Sequence, residues 1–184
     1  MRKVIAVEFV TLDGFISGPN GELDWFVHDD PEIPGGQLDS VDTFLFGRRT
    51  YELMVSHWPT ATDDNPVIIA KMNNTPKIVF SKTLNKVEWG RWNNAKLVKE
   101  NVVETVNQMK KQPGKDMVIL GSGTLVSSFL KLGLIDEYQI LLHPIVLGRG
   151  KPLFRDLSER QKLELIGTKT FKSGVVGLYY RPAN

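Results

Sequence analysis

The chain contains no cysteine, which excludes a disulfide framework and any thiolate metal centre. Only three histidines occur, His28, His57 and His143. Their scatter gives no ligand spacing, so each reads as structural or exposed and no metal is expected. No apolar run approaches the length of a bilayer span, and no membrane association is expected. The formal net charge is only +2 over 184 residues, with no Lys/Arg run to concentrate it, so the electrostatic footprint of a nucleic-acid binder is missing. What remains is a composition of 41% hydrophobic and 24% charged residues, that of a globular protein. Its length fits one domain over residues 1–184, with a core large enough to need no staples. The opening "MRKVIAVEFVTLDGF" has the basic start and apolar run of a signal peptide. Glu8 interrupts that run and no small-residue cleavage site follows before Asp13, so the segment reads as a first strand. The expected location is the cytoplasm.

The order of the local signals carries the fold. "KVIAVEFVTL" is a β-rich run ending at the turn pair Asp13-Gly14. "TFLFG" is a short run ending at Gly47, and "RTYELMVSHW" after it has helical spacing. "NPVIIAKMNN" reads as a helix, "KIVFS" and "AKLV" as strands, and "VVETVNQMKKQ" as a helix that Asn101 and Glu104 cap and Pro113-Gly114 ends. Strand "DMVIL", a glycine turn, helix "TLVSSFLKLG" and strand "DEYQILLHPIVL" follow. "KLELIGTKTF" and "VVGLYYRP" form an antiparallel hairpin across Lys172-Ser173-Gly174. Repeated alternation of strand and helix predicts an α/β protein with a mostly parallel sheet covered by helices, to which the hairpin adds antiparallel edge strands.

The glycine turn Gly121-Ser122-Gly123 opens a helix, where unpaired N–H groups and the helix dipole suit a phosphate. It matches neither standard motif. Thr124, Leu125 and Val126 follow where a Rossmann turn needs a third glycine, and no Gly-Lys-Ser/Thr makes a P-loop; "GRGKP" at Gly148–Pro152 fails because proline follows its lysine. From the residues alone, a merely tight turn and a phosphate cradle both stand. Trp25 is the one tryptophan placed to wall a pocket, and the acidic residues of "GELDWFVHDDPE" read as a solvated face.

Four stretches in order carry a resemblance over nearly the whole chain: "VTLDGFIS", "FGRRTYE", "IVFSKTL" and "ILGSGTLVSSFL". The sequence is similar to the dihydrofolate reductase fold, and within it to the reductase domain of the riboflavin-biosynthesis deaminase-reductase and its stand-alone relatives. "LLHPIVLGRGKPLF" points to that riboflavin branch. The resemblance implies NADPH in an extended groove. Gly47, Arg48, Arg49 and Thr50 then begin a helix facing the pyrophosphate, and Ser81 and Lys82 lie beside the adenosine 2′-phosphate. Gly121, Ser122, Gly123, Thr124 and Leu125 supply the other phosphate contacts. Counting from Trp25 as dihydrofolate reductases do, the substrate carboxylate falls on Asp30. Asp29 and Asp24 are its neighbours, and Asp13 of "LDG" competes in the riboflavin branch. The zinc signature of the accompanying deaminase is absent. The implied activity is hydride transfer from NADPH to a C=N or carbonyl group of a small heterocyclic or sugar-derived substrate. Dihydrofolate reduction proper, or an NADP-binding protein without turnover, are the alternatives. Dimeric relatives imply a homodimer formed through the C-terminal strands.

Overall fold

The computed structural model of the chain describes residues 1–26 and 38–183. In chain order they form β1 (Val4–Thr11), β2 (Phe15–Ser17), β3 (Val41–Gly47), α1 (Arg48–His57), α2 (Pro66–Asn74), β4 (Lys77–Phe80) and β5 (Ala95–Val98). Then follow α3 (Val102–Lys111), β6 (Asp116–Leu120), α4 (Gly123–Lys131), β7 (Glu137–His143), β8 (Lys151–Pro152), β9 (Leu163–Thr170) and β10 (Val176–Pro182). Eight strands make one sheet in the order β5-β4-β3-β6-β1-β7-β10-β9, and β2 pairs with β8 in a small second sheet. From β5 to β7 every pairing is parallel. β10 runs antiparallel to both β7 and β9.

Strand residues alternate between two apolar layers, as the two-residue period of a strand requires. Val4, Ala6 and Val10 of β1 join Val106 of α3 and Leu125, Val126 and Phe129 of α4 in one core cluster. Ile5 and Val7 join Tyr51 of α1 and Met72 of α2 in the other. Helices therefore cover both faces, and a strand buried on both reads as a continuous apolar run. The second layer is anchored by Trp89, fully buried beside Phe46 and donating its indole N–H to Asn73 Oδ1 at 2.7 Å. Each such large buried side chain contributes about 2–3 kcal/mol of transfer free energy.

Local geometry departs from the expected reading in several places. The strand "DEYQILLHPIVL" stops at His143, because Pro144 has no N–H to continue the ladder. The hairpin does not supply two edges: β10 lies between β7 and β9, and only β9 is terminal. Asn101 does precede α3, but with a left-handed backbone (φ 52°) and no side-chain cap bond; Glu104 instead accepts from Gln108. The strands β2 and β8, too short for a sequence pattern, join the turn after β1 to "GRGKP". Among the described residues no helix is long and apolar enough to cross a membrane, and no cluster of His, Asp and Glu could hold a metal.

Candidate functional site

A parallel sheet brings the C-terminal ends of its strands to one edge, where helix N-termini gather. Here the turns leaving β3, β4, β5 and β6 open into one groove of about 1010 Å³. Gly47, Arg48, Arg49, Thr50, Ser81, Lys82, Gly121, Ser122, Gly123, Thr124 and Leu125 all line it. The residues expected at the cofactor are thus assembled on one surface, from segments up to 78 positions apart (47 to 125).

Two helices point their N-termini at this groove, and among the described residues neither is capped by a side chain. The first N–H groups of α1 and α4 therefore have no cap partner within their own helices, which makes each end an anion site. Ser122 locks the two together. Its hydroxyl oxygen accepts the Gly47 N–H at 3.2 Å, its own N–H donates to Glu8 Oε1 at 2.9 Å, and the Thr50 hydroxyl donates to Gly121 O at 3.0 Å. The glycines serve different ends. Gly121 has φ 62°, a conformation costly for residues with a Cβ. A Cβ on Gly47 would stand 2.8 Å from Ser122 Oγ, and one on Gly123 would stand 2.7 Å from Ile16 Cδ1. Where a Rossmann turn would carry its third glycine, Val126 is fully buried in the core.

The groove is cationic. Among the described residues, Arg48, Arg49, Lys82, Lys99, Lys151 and Arg155 line it against a single acid, Asp156. Arg48 Nη1 donates to Thr83 Oγ1 at 3.1 Å while its Nε pairs with Glu52 at 2.7 Å, so its guanidinium rests on the turn after β4. In that turn Ser81 Oγ accepts the N–H groups of Thr83 and Leu84 at 3.2 and 3.1 Å and lies 3.3 Å from Thr83 Oγ1, a contact in which either hydroxyl can donate. Arg155 donates to Thr124 Oγ1 in the first turn of α4. Thr83, Lys99, Lys151, Arg155 and Glu8 are the site residues that sequence reasoning missed. No local pattern marks Arg155, because its contact is set by the strap after β8 crossing α4. Gly123 admits that crossing: its Cβ position is 3.3 Å from Leu153 O.

The far end of β1 is built differently. Asp13 is exposed and outside the groove lining. Its carboxylate accepts the Thr11 hydroxyl at 2.6 Å and the N–H groups of Gly148 and Leu147 at 2.7 and 3.2 Å. The Thr11 bond above all, then those amides, hold its pKa below the usual carboxylate range. Trp25 is buried, edge-on to Phe26 and His143 with ring centroids at 4.6 and 5.2 Å; Phe9 meets the same two rings at 5.0 and 5.7 Å, and Trp25 does not line the groove. Asp24 is exposed on the adjoining turn. Asp29, Asp30 and His28 lie outside the described residues. His57 meets Asp64 at 2.7 Å on the surface.

A six-stranded parallel array, an antiparallel C-terminal hairpin and a groove across the strand ends define a dihydrofolate reductase-like fold. The dihydrofolate reductase of Enterococcus faecalis, solved with NADP(H), superposes with a TM-score of 0.66 at 16% identity, covering 99% of this chain and 97% of that one. The chain belongs to the RibD C-terminal domain family, whose profile matches residues 2–177. The uncharacterized protein YyaP of Bacillus subtilis (strain 168) is 41% identical over 181 residues, covering 97% of this chain and 94% of its own. The crystal structure of a putative riboflavin biosynthesis protein from Shewanella sp. PV-4 matches with a TM-score of 0.79 at 26% identity over 99% of both chains.

Proposed function

We propose that the protein is an NADPH-dependent reductase that transfers hydride to a C=N or carbonyl group of a small heterocyclic or sugar-derived substrate. The observation that carries this reading is the groove, in which two uncapped helix N-termini locked by Ser122 face a surface of six cations. Two anion sites at a fixed separation suit a diphosphate, and the Arg48–Thr83–Ser81 cluster beside them suits a further phosphate. Family membership and the NADP(H) complex of the Enterococcus dihydrofolate reductase support the same assignment.

When bound, the dihydronicotinamide supplies the hydride. The chain's own residues do the rest. The α1 and α4 N-termini hold the diphosphate, with Arg155 and Lys151 adding charge from the β8 strap. Arg48, Ser81 and Lys82 take the 2′-phosphate. Ile16, Leu23 and Leu125 line the groove with apolar surface and exclude water there. Asp13 serves as a clasp: its carboxylate ties the turn after β1 to the loop at 147–148, and a carboxyl held low is a poor proton donor near neutrality. The proton then comes from the acids that follow Trp25, with Asp30 first and Asp29 next, or from a water they order. Steady-state oxidation of NADPH against a panel of pterin, ribosylamino-pyrimidine and simple carbonyl substrates tests the reading. Turnover with any of them supports it. Failure of NADPH to bind sinks it.

A further inference from the structure

Glu8 stands in the middle of β1 with no exposed surface. Its Oε1 accepts the Ser122 N–H, and its Oε2 is buried without a hydrogen-bond partner among the described residues. It lies behind the N-terminus of α4, the pole at which the groove would hold a phosphate. An ionised Glu8 would compete for that pole and would leave one charged oxygen buried and unsatisfied. A neutral acid accepts the same Ser122 N–H and leaves the dipole to the ligand.

We propose that Glu8 is a positioning residue that holds the Gly121–Gly123 turn as a neutral acid, so that binding of a diphosphate ligand in the groove is linked to proton uptake at this side chain. This rests on the reading of the groove as a dinucleotide site. Burial pushes the free protein's Glu8 up to about 8, against a smaller opposing effect of the Ser122 N–H. Among the described residues, the titratable groups on the surrounding elements do not substitute for it. Tyr138 of β7 is driven upward by its own burial. Asp13, in the turn after β1, is held low chiefly by the Thr11 hydroxyl. Lys151 and Arg155 line the groove. The turn from β6 into α4 brings no titratable side chain. By reciprocity, an anion that raises the proton affinity of Glu8 is itself bound more tightly when the proton is present.

The test is calorimetric titration of the full chain with NADPH, and in parallel with ADP-ribose, whose diphosphate diester carries no titration of its own above neutrality. Titrations run from pH 7 to 9.5 in two buffers of different ionisation enthalpy. The wild type is expected to lose affinity above pH 8, by up to about tenfold per pH unit, with uptake approaching one proton per ligand. In Glu8→Gln, which keeps the acceptor for the Ser122 N–H, both the slope and the uptake disappear. The ¹³C shift of the Glu8 carboxyl, followed against pH with and without ligand, reads the same event in the wild type should the variant not fold. Binding without proton uptake, or an equal slope in Glu8→Gln, overturns the proposal and leaves the groove assignment standing. Uptake with ADP-ribose but no NADPH binding supports Glu8 and removes the nicotinamide reading. Binding of neither probe overturns both.

Discussion

Two buried ionisable side chains pull the stability of the protein in opposite directions with pH. Glu8 has a folded pKa of about 8 against an ordinary 4.5, so the folded state holds the extra proton between those values and stability falls as pH rises through that window. Lys77 is the reverse. Its ammonium donates to Asn73 O at 2.6 Å and lies 4.3 Å from the Trp89 ring centroid, yet burial dominates and lowers it from 10.5 to about 7. The unfolded chain then holds the extra proton from pH 7 to 10.5, and stability rises across that range. Urea unfolding between pH 5 and 10 is expected to show a minimum near pH 7–8, with limbs no steeper than about 1.4 kcal/mol per pH unit for each group. Glu8→Gln flattens the acid limb and Lys77→Met the alkaline one; limbs indifferent to both substitutions contradict the assignment. Asp13→Asn gives a second check. It is expected to speed amide exchange around residues 145–150 while the pH dependence of turnover keeps its shape, whereas a shifted profile would restore Asp13 as proton donor. None of these roles was legible in the sequence. Glu8 showed only as a break in an apolar run, and Asp13 as half of a turn pair and, through the family resemblance, as a candidate substrate carboxylate, not as a clasp. Their partners Ser122 and Gly148 lie 114 and 135 positions away.

The turns between strands and helices were more legible, because their requirements are local. A glycine that must take positive φ and a small residue at a helix N-terminus leave marks in a few adjacent positions, as at Gly121 and Gly123. Gly47 could be read the same way, as the small residue between a short apolar run and a helix, whereas Ser81 was marked only by the family resemblance. What joins those turns was not readable, since β6 lies between β3 and β1 only by virtue of strand order. Hence the Ser122–Gly47 bridge, the Arg48–Thr83 contact and the crossing of Arg155 over α4 emerge from topology. Replacing Gly121 by Ala forces a Cβ into the left-handed region and is expected to destabilise the protein by about 1–2 kcal/mol, read as a lowered denaturant midpoint with unchanged slope. Arg155→Ala is expected to weaken NADPH and NADH equally, by roughly 1–2 kcal/mol, because its proposed place is at the diphosphate common to both. Selective loss of NADPH binding would move Arg155 to the 2′-phosphate instead.

One edge of the assembled sheet stays open in a way that bears on association. β9 is the outer strand of the hairpin and terminal in the sheet, and its Leu165 and Ile166 are 52% and 45% exposed. An apolar edge strand is a template for pairing, so a second copy is proposed to cover this region. Sedimentation at micromolar concentration is expected to give a dimer, and Leu165→Lys a monomer; a monomeric wild type removes the idea. The account as a whole depends on what the cationic groove binds. Calorimetric titration of NADPH and NADH against the wild type and the double substitution Arg48→Gln/Lys82→Gln tests it. NADPH is expected to bind the wild type more tightly than NADH. The double substitution is expected to weaken NADPH by roughly 2–4 kcal/mol, the scale of two charged hydrogen bonds, and to leave NADH nearly unchanged. Equal wild-type affinities for the two nucleotides, or equal losses in the variant, would contradict it.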